Sequence, residues 1–136
     1  MTIMPIPCQT LSRLMRKIIE EVTNMKKLEC IIRPNKLEEI SDALNLYGIQ
    51  GMTVTQVMGC GLQKGRREVY RGTVYDIHLL PKIKLEIVIP DDWVDDIIKI
   101  IRQKANTGEI GDGKIFISNI ENAVRIRTGE QGNAAI

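Results

Sequence analysis

The sequence predicts an α+β fold, and three observations predict it. Two stretches of helical period, 35–47 and 91–105, each lie between stretches rich in isoleucine and valine. A polar, glycine-containing stretch at 61–81, with no confident helix or strand period, separates the two halves. The chain has 136 residues, enough for a core that buries roughly two-thirds of the unfolded surface without staples.

The elements follow in order. Residues 1–24 are expected as an N-terminal extension. Leu11, Leu14, Met15, Ile18, Ile19 and Val22 fall on helical spacing, with Arg13, Arg16, Lys17, Glu20 and Glu21 on the other face. Two readings stand: an amphipathic helix that docks on a partner or on its own assembly, or a poorly ordered leader. Met25-Lys26-Lys27 reads like a second start, and Glu20 and Glu21 argue against an organelle transit peptide.

The domain proper is expected over 25–136. A strand is predicted at 28–33. Pro34 ends it, and Asn35 is a candidate helix cap. Leu37, Ile40, Leu44 and Tyr47 share one face of the first helix, Glu38 and Glu39 suit its positive end, and Gly48 stops it. A second strand is predicted at 52–58, broken by Gly59-Cys60-Gly61.

The second half repeats the pattern. Leu85, Ile87 and Ile89 alternate with Lys84 and Glu86 in a strand at 84–89, which Pro90 ends. Asp91 is expected to cap a helix whose apolar face is Val94, Ile97, Ile98, Ile101 and Ala105, with Gly108 as terminator. Strands are predicted at 114–118 and 122–127, before a polar tail. The order is the split βαβ of a ferredoxin-like sandwich, an antiparallel sheet with two helices on one face. The other face is expected to be apolar and buried by oligomerisation.

Composition narrows function. A net charge of +2 is too balanced to argue for nucleic acid. Local basic groups at Lys64, Arg66, Arg67, Arg71 and at Arg125, Arg127 suit small anions or an acidic partner surface. Cys8, Cys30 and Cys60 fit no zinc spacing and read as reduced thiols of a cytosolic protein. No apolar run approaches the ~20 residues of a membrane span.

Three constellations could carry chemistry. The run Gly108-Glu109-Ile110-Gly111-Asp112-Gly113-Lys114 can offer backbone N–H groups and a cation to phosphate, or be a plain helix stop and turn; it lacks the Walker spacing. Arg125 and Arg127, at period two on a strand, would face one side and suit an anion between them, or form a solvated basic edge. The loop 61–81 carries Tyr70 and Tyr75, each an accessible hydroxyl or partner anchor, or an ordinary loop side chain. His78 is the only histidine and makes neither a zinc site nor a catalytic triad. Glu86 is either a solvated strand residue or a carboxylate in a site.

From Met25 to Ile136 the chain resembles the PII signal proteins of nitrogen regulation. The matching runs are Gly51-Met52-Thr53-Val54-Thr55, Gly61-Leu62-Gln63-Lys64-Gly65, Tyr70-Arg71-Gly72, the stretch 80–86, the stretch 107–116 and Arg125-Ile126-Arg127-Thr128-Gly129-Glu130. The resemblance implies a homotrimer with ATP and ADP competing for clefts between subunits. By position, Gly111, Asp112, Gly113, Lys114, Arg125 and Arg127 would hold the phosphates, and Thr53, Gly61, Glu86 and Val88 would line the nucleotide site. It implies 2-oxoglutarate bound through Mg-ATP, with Gln63 on the metal and Lys64, Gly65 and Lys82 on the acid.

The resemblance further makes 61–81 the T-loop that docks on targets: an ammonium transporter, glutamine synthetase or a nitrogen regulator. It implies a cytoplasmic regulator rather than an enzyme, reaching the membrane only through a transporter. Tyr75 matches a tyrosine that many members uridylylate, although Val74 and Thr73 depart from the usual neighbours, and the run 59–64 looks more like Gram-positive members. The alternatives are a nucleotide sensor with a non-nitrogen target, against which Gln63 and Lys82 argue, and a phosphoryl-transfer enzyme, which would lack a credible base.

Overall fold

The computed structural model describes residues 13–14, 24–60, 67–70, 73–76 and 79–136, with 67–70 and 73–76 described by their backbone. Most of the 1–24 extension, and Gly61, Gln63, Lys64, Gly65 and His78, lie outside the described residues.

Strand β1 (Met25–Ile32) is followed by helix α1 (Leu37–Tyr47) and strand β2 (Thr53–Gly59). A short hairpin, β3 (Arg67–Tyr70) and β4 (Thr73–Asp76), leads to β5 (Leu80–Pro90), helix α2 (Val94–Ala105) and β6 (Lys114–Ile120). The four long strands form one antiparallel sheet in the order β2-β5-β1-β6. This is the ferredoxin-like α+β sandwich that the sequence predicts.

Alternation decides which face is covered. Leu28, Cys30 and Ile32 of β1 and Ile83, Leu85, Ile87 and Ile89 of β5 point one way and are buried. Ile40 and Leu44 of α1 and Ile97, Ile101 and Ala105 of α2 close over them, as the helical periods require. Tyr47 links the two helices: its hydroxyl donates to Asp96 at 2.7 Å, and its ring meets Trp93 edge to face.

The opposite face is mixed rather than simply apolar: charged residues stand among Ile31, Val88 and the exposed Phe116. Lys27 and Glu29 of β1 stand beside Lys84 and Glu86 of β5; two ion pairs cross the strands, Lys27–Glu86 at 3.4 Å and Lys84–Glu29 at 3.9 Å, and a third, Lys84–Glu86 at 3.3 Å, runs along β5. The isoleucines that suggested an apolar face occupy the odd positions of β5 and turn toward the helices.

Other details differ as well. Neither Asn35 nor Asp91 caps a helix; each lies in a short 3₁₀ turn (Pro34–Lys36, Asp91–Trp93) that delivers the strand into the helix. Proline with its fixed φ starts the first of these turns. The Asp91 carboxylate instead pairs with Lys26 at 2.8 Å. Helix α2 ends at Ala105, and Gly108, at φ +81°, belongs to the turn beyond. The 61–81 stretch contains the β3–β4 hairpin, and β5 begins at Leu80. No strand forms at 122–127: Arg125 N–H donates to the Glu130 carbonyl, Gly129 N–H donates to the Arg125 carbonyl, and only Val124 and Gln131 make a bridge. The segment satisfies its own backbone by folding on itself, so it has no sheet edge to join.

Candidate functional site

The turn 107–113 between α2 and β6 is built from glycine and one carboxylate. Gly108, Gly111 and Gly113 all adopt positive φ. At Gly113 the requirement is also steric, because a Cβ would lie 1.6 Å from the Ile31 carbonyl oxygen. The turn is therefore pressed against the backbone of β1.

Asp112 organises the interior of the turn. Oδ2 accepts from the N–H of Thr107 at 2.8 Å and of Gly108 at 3.1 Å. Oδ1 accepts from the Thr107 hydroxyl and from Arg33 Nε at 3.2 Å. These donors, the Thr107 hydroxyl foremost, hold the carboxyl down at a pKa of about 2. Arg33 also donates from Nη2 to the Ile110 carbonyl at 2.9 Å, and so spans the turn. Lys114, the first residue of β6, is exposed.

Lys82 joins this cluster from β5. Its side chain is largely buried, and its ammonium donates to the Gly111 carbonyl at 2.8 Å. Burial and the nearby Arg33 charge lower its pKa. The start of β5, where the 61–81 loop returns to the sheet, is thus tied directly to the glycine turn. Gly59 of β2 lies alongside, where a Cβ would stand 3.2 Å from Lys82 Cγ.

A second group gathers at the β2–β5 side. Thr53, Glu86 and Val88 line a cavity of about 590 Å³ with Lys27, Gly51 and Trp93. The chain end also lines it through Asn133, Ala135 and Ile136. Arg125 and Arg127 lie upstream of that end, in the 122–132 loop, and are exposed. They lie in a turn rather than at period two on a strand. Glu86 there is held below the usual carboxylate range, chiefly by its hydrogen bond to Lys84, opposed by partial burial.

One subunit does not unite the two groups. Thr53 pairs with Glu86 on one edge of the sheet, while Lys114 pairs with Ile31 on the other edge strand. Three strand spacings, about 14 Å, separate those edges. Asp112, Gly113 and Lys114 line a different cavity, of about 400 Å³, beside α2. Tyr75 lies in β4, described by its backbone, and Gly61, Gln63, Lys64 and Gly65 lie outside the described residues.

Several participants were not legible in advance. Arg33, Lys27 and Trp93 enter through pairings dozens of residues apart, such as Arg33 with Asp112, for which a single sequence carries no signal.

A glycine turn ending in an exposed lysine is chemically suited to an anion, and the cavity has both apolar and polar lining residues. Comparison with known proteins shows the family. Residues 25–130 match the family described as nitrogen regulatory protein P-II. The chain is 59% identical over 112 residues to the nitrogen regulatory protein P-II of Bradyrhizobium diazoefficiens, covering 82% of this chain and all of that one. It is 54% identical, with the same coverage, to nitrogen regulatory protein P-II 1 of Escherichia coli. Among solved structures, B. subtilis GlnK superposes with a TM-score of 0.69 at 38% identity, covering 83% of this chain and 99% of that one. A B. subtilis GlnK-ATP complex superposes equally well at 33% identity, covering 84% and 99%.

Proposed function

The chain belongs to the nitrogen regulatory protein P-II family, and from that premise we propose that it senses ATP or ADP together with 2-oxoglutarate and passes the result to other proteins. The division of the candidate site carries this proposal. A chain with half a site at each edge of its sheet completes the site only against another copy, as closed assemblies of identical subunits do. A homotrimer has three such junctions. Each sets the 108–114 turn of one subunit against Thr53, Gly61, Glu86, Val88, Arg125 and Arg127 of its neighbour. The glycine turn and the three cations receive the phosphates; the cavity receives the base. The ATP complex of a structural neighbour supports the choice of nucleotide.

Lys82 is the link to the second ligand. Its ammonium, half-buried at the glycine turn, would receive the carboxylate of 2-oxoglutarate, with the backbone of Lys64 and Gly65 completing that subsite. Mg²⁺, when bound, supplies a hard centre for oxygen ligands, and Gln63 is the residue that would hold it. The 61–81 loop, which contains the β3–β4 hairpin, reports the ligand state to a target such as an ammonium transporter, glutamine synthetase or a nitrogen regulator. Tyr75 on β4 is its candidate modification site. Regulation, not catalysis, is the role, in a cytoplasmic protein whose domain spans 25–136 behind an extension at 1–24. Among the described residues no helix is long and apolar enough to cross a membrane.

Calorimetric titration of 2-oxoglutarate with Mg-ATP and with Mg-ADP tests the mechanism. Heat only with Mg-ATP is expected, and its loss in Lys82→Met would locate the acid. No binding with either nucleotide would overturn the 2-oxoglutarate assignment.

A further inference from the structure

Asp112 sits in the centre of a turn offered to a polyanion, which is an odd place for a negative charge. Its surroundings explain it. A carboxylate has about four acceptor positions. All four are occupied, two on Oδ2 by the N–H groups of Thr107 and Gly108, and two on Oδ1 by the Thr107 hydroxyl and Arg33. Nothing is left for a metal ion or a ligand donor. The same bonds leave Gly111 and Gly113 unconstrained by side chains from within the turn, and neither N–H makes a hydrogen bond among the described residues. Arg33 holds both sides of the bend, Asp112 by its Nε and the Ile110 carbonyl by its Nη2, and so clamps the turn to the end of β1.

We propose that Asp112 and Arg33 are positioning residues that preset the 107–113 turn for phosphate without touching the ligand. Asp112 fastens the front of the turn, and Arg33 fastens Asp112 to the end of β1. This rests on the nucleotide assignment above and gives Asp112 a different role within it. It also reverses a sign. If Asp112 faced the phosphates, removing its charge would tighten ATP. As a brace its removal loosens the turn, and ATP binds more weakly despite one fewer negative charge nearby.

The test compares wild type, Asp112→Asn, Arg33→Ala and Arg33→Lys as intact proteins, titrated with ATP and separately with adenosine. Amide exchange is read at Thr107 and Gly108. A loss of about tenfold or more in ATP affinity is expected for Asp112→Asn and Arg33→Ala, since each removes charge-assisted hydrogen bonds. Adenosine affinity should not change, because the base lies against the other half-site. Exchange at Thr107 and Gly108 should rise. Arg33→Lys keeps the charge but loses the fork, and should fall short of wild type. Unchanged or tighter ATP binding in Asp112→Asn overturns the positioning role alone. Equal losses for ATP and adenosine overturn it too, by pointing to general unfolding. A wild type that binds no ATP overturns the nucleotide assignment and the positioning role with it.

Discussion

Asp112 and Cys30 show how one side chain's surroundings set its chemistry. The Asp112 carboxyl, ordinarily near 3.8, is held at about 2. Its stabilisation is complete above the unfolded value and is lost as pH falls through the folded one. The difference in melting temperature between wild type and Asp112→Asn should therefore shrink steadily from pH 5 toward pH 2, as thermal scans at stepped pH would show. Cys30 has the opposite shift: burial, aided by Glu29, raises its thiol to about 12. Cys60 is exposed. A maleimide at neutral pH should modify Cys60 within minutes and Cys30 only after denaturant is added, which peptide mass mapping would read. Labelling of native Cys30 would mean that the sheet–helix interface opens.

At the scale of elements, the turn between α2 and β6 is constrained more tightly than its neighbours. Gly108 and Gly113 both have positive φ, but a Cβ at Gly108 meets nothing, whereas one at Gly113 collides with β1. Gly108→Ala should cost about 1–2 kcal/mol from backbone strain alone. Gly113→Ala should cost more, by also forcing β6 away from β1; urea unfolding of the two variants makes the comparison. Helix α2 is held by its buried face. Truncating Ile101 to alanine should lower the unfolding free energy by about 2–5 kcal/mol, depending on how far the sheet relaxes. Equal effects of the two glycine variants would remove the β1 contact as an explanation.

At the scale of the whole molecule, the open face of the sheet carries a group of ion pairs on β1 and β5 beside the exposed Phe116 of β6. The divided site is the stronger argument for association. A mixing experiment addresses that argument directly. Chains carrying Lys114→Ala and chains carrying Glu86→Ala should each bind ATP poorly. Unfolded together at equal amounts and refolded, they should recover about a quarter of the sites, those with both halves intact. No recovery would place each site within one chain. Sedimentation of the wild type should give the mass of a trimer.

Much of this protein was legible in its order of residues. The periods of 37–47 and 94–105 and the alternation of 83–89 record local geometry that each segment carries with it, so the split βαβ order and the buried faces followed. The glycine turn was visible because positive φ selects glycine wherever it occurs. Sheet register, by contrast, is a relation between distant segments. It brings Lys27 within reach of Glu86 and Arg33 to Asp112, and no local pattern encodes either partner. The fate of 122–127 and the charge of the open face were likewise decided by which edges and faces remained once the sheet had formed. Sequence determined which glycines and cations the candidate site contains; tertiary structure alone decided that Asp112 turns inward, that Lys82 reaches Gly111, and that the two halves of the candidate site stand on opposite edges, because only packing brings together groups separated along the chain.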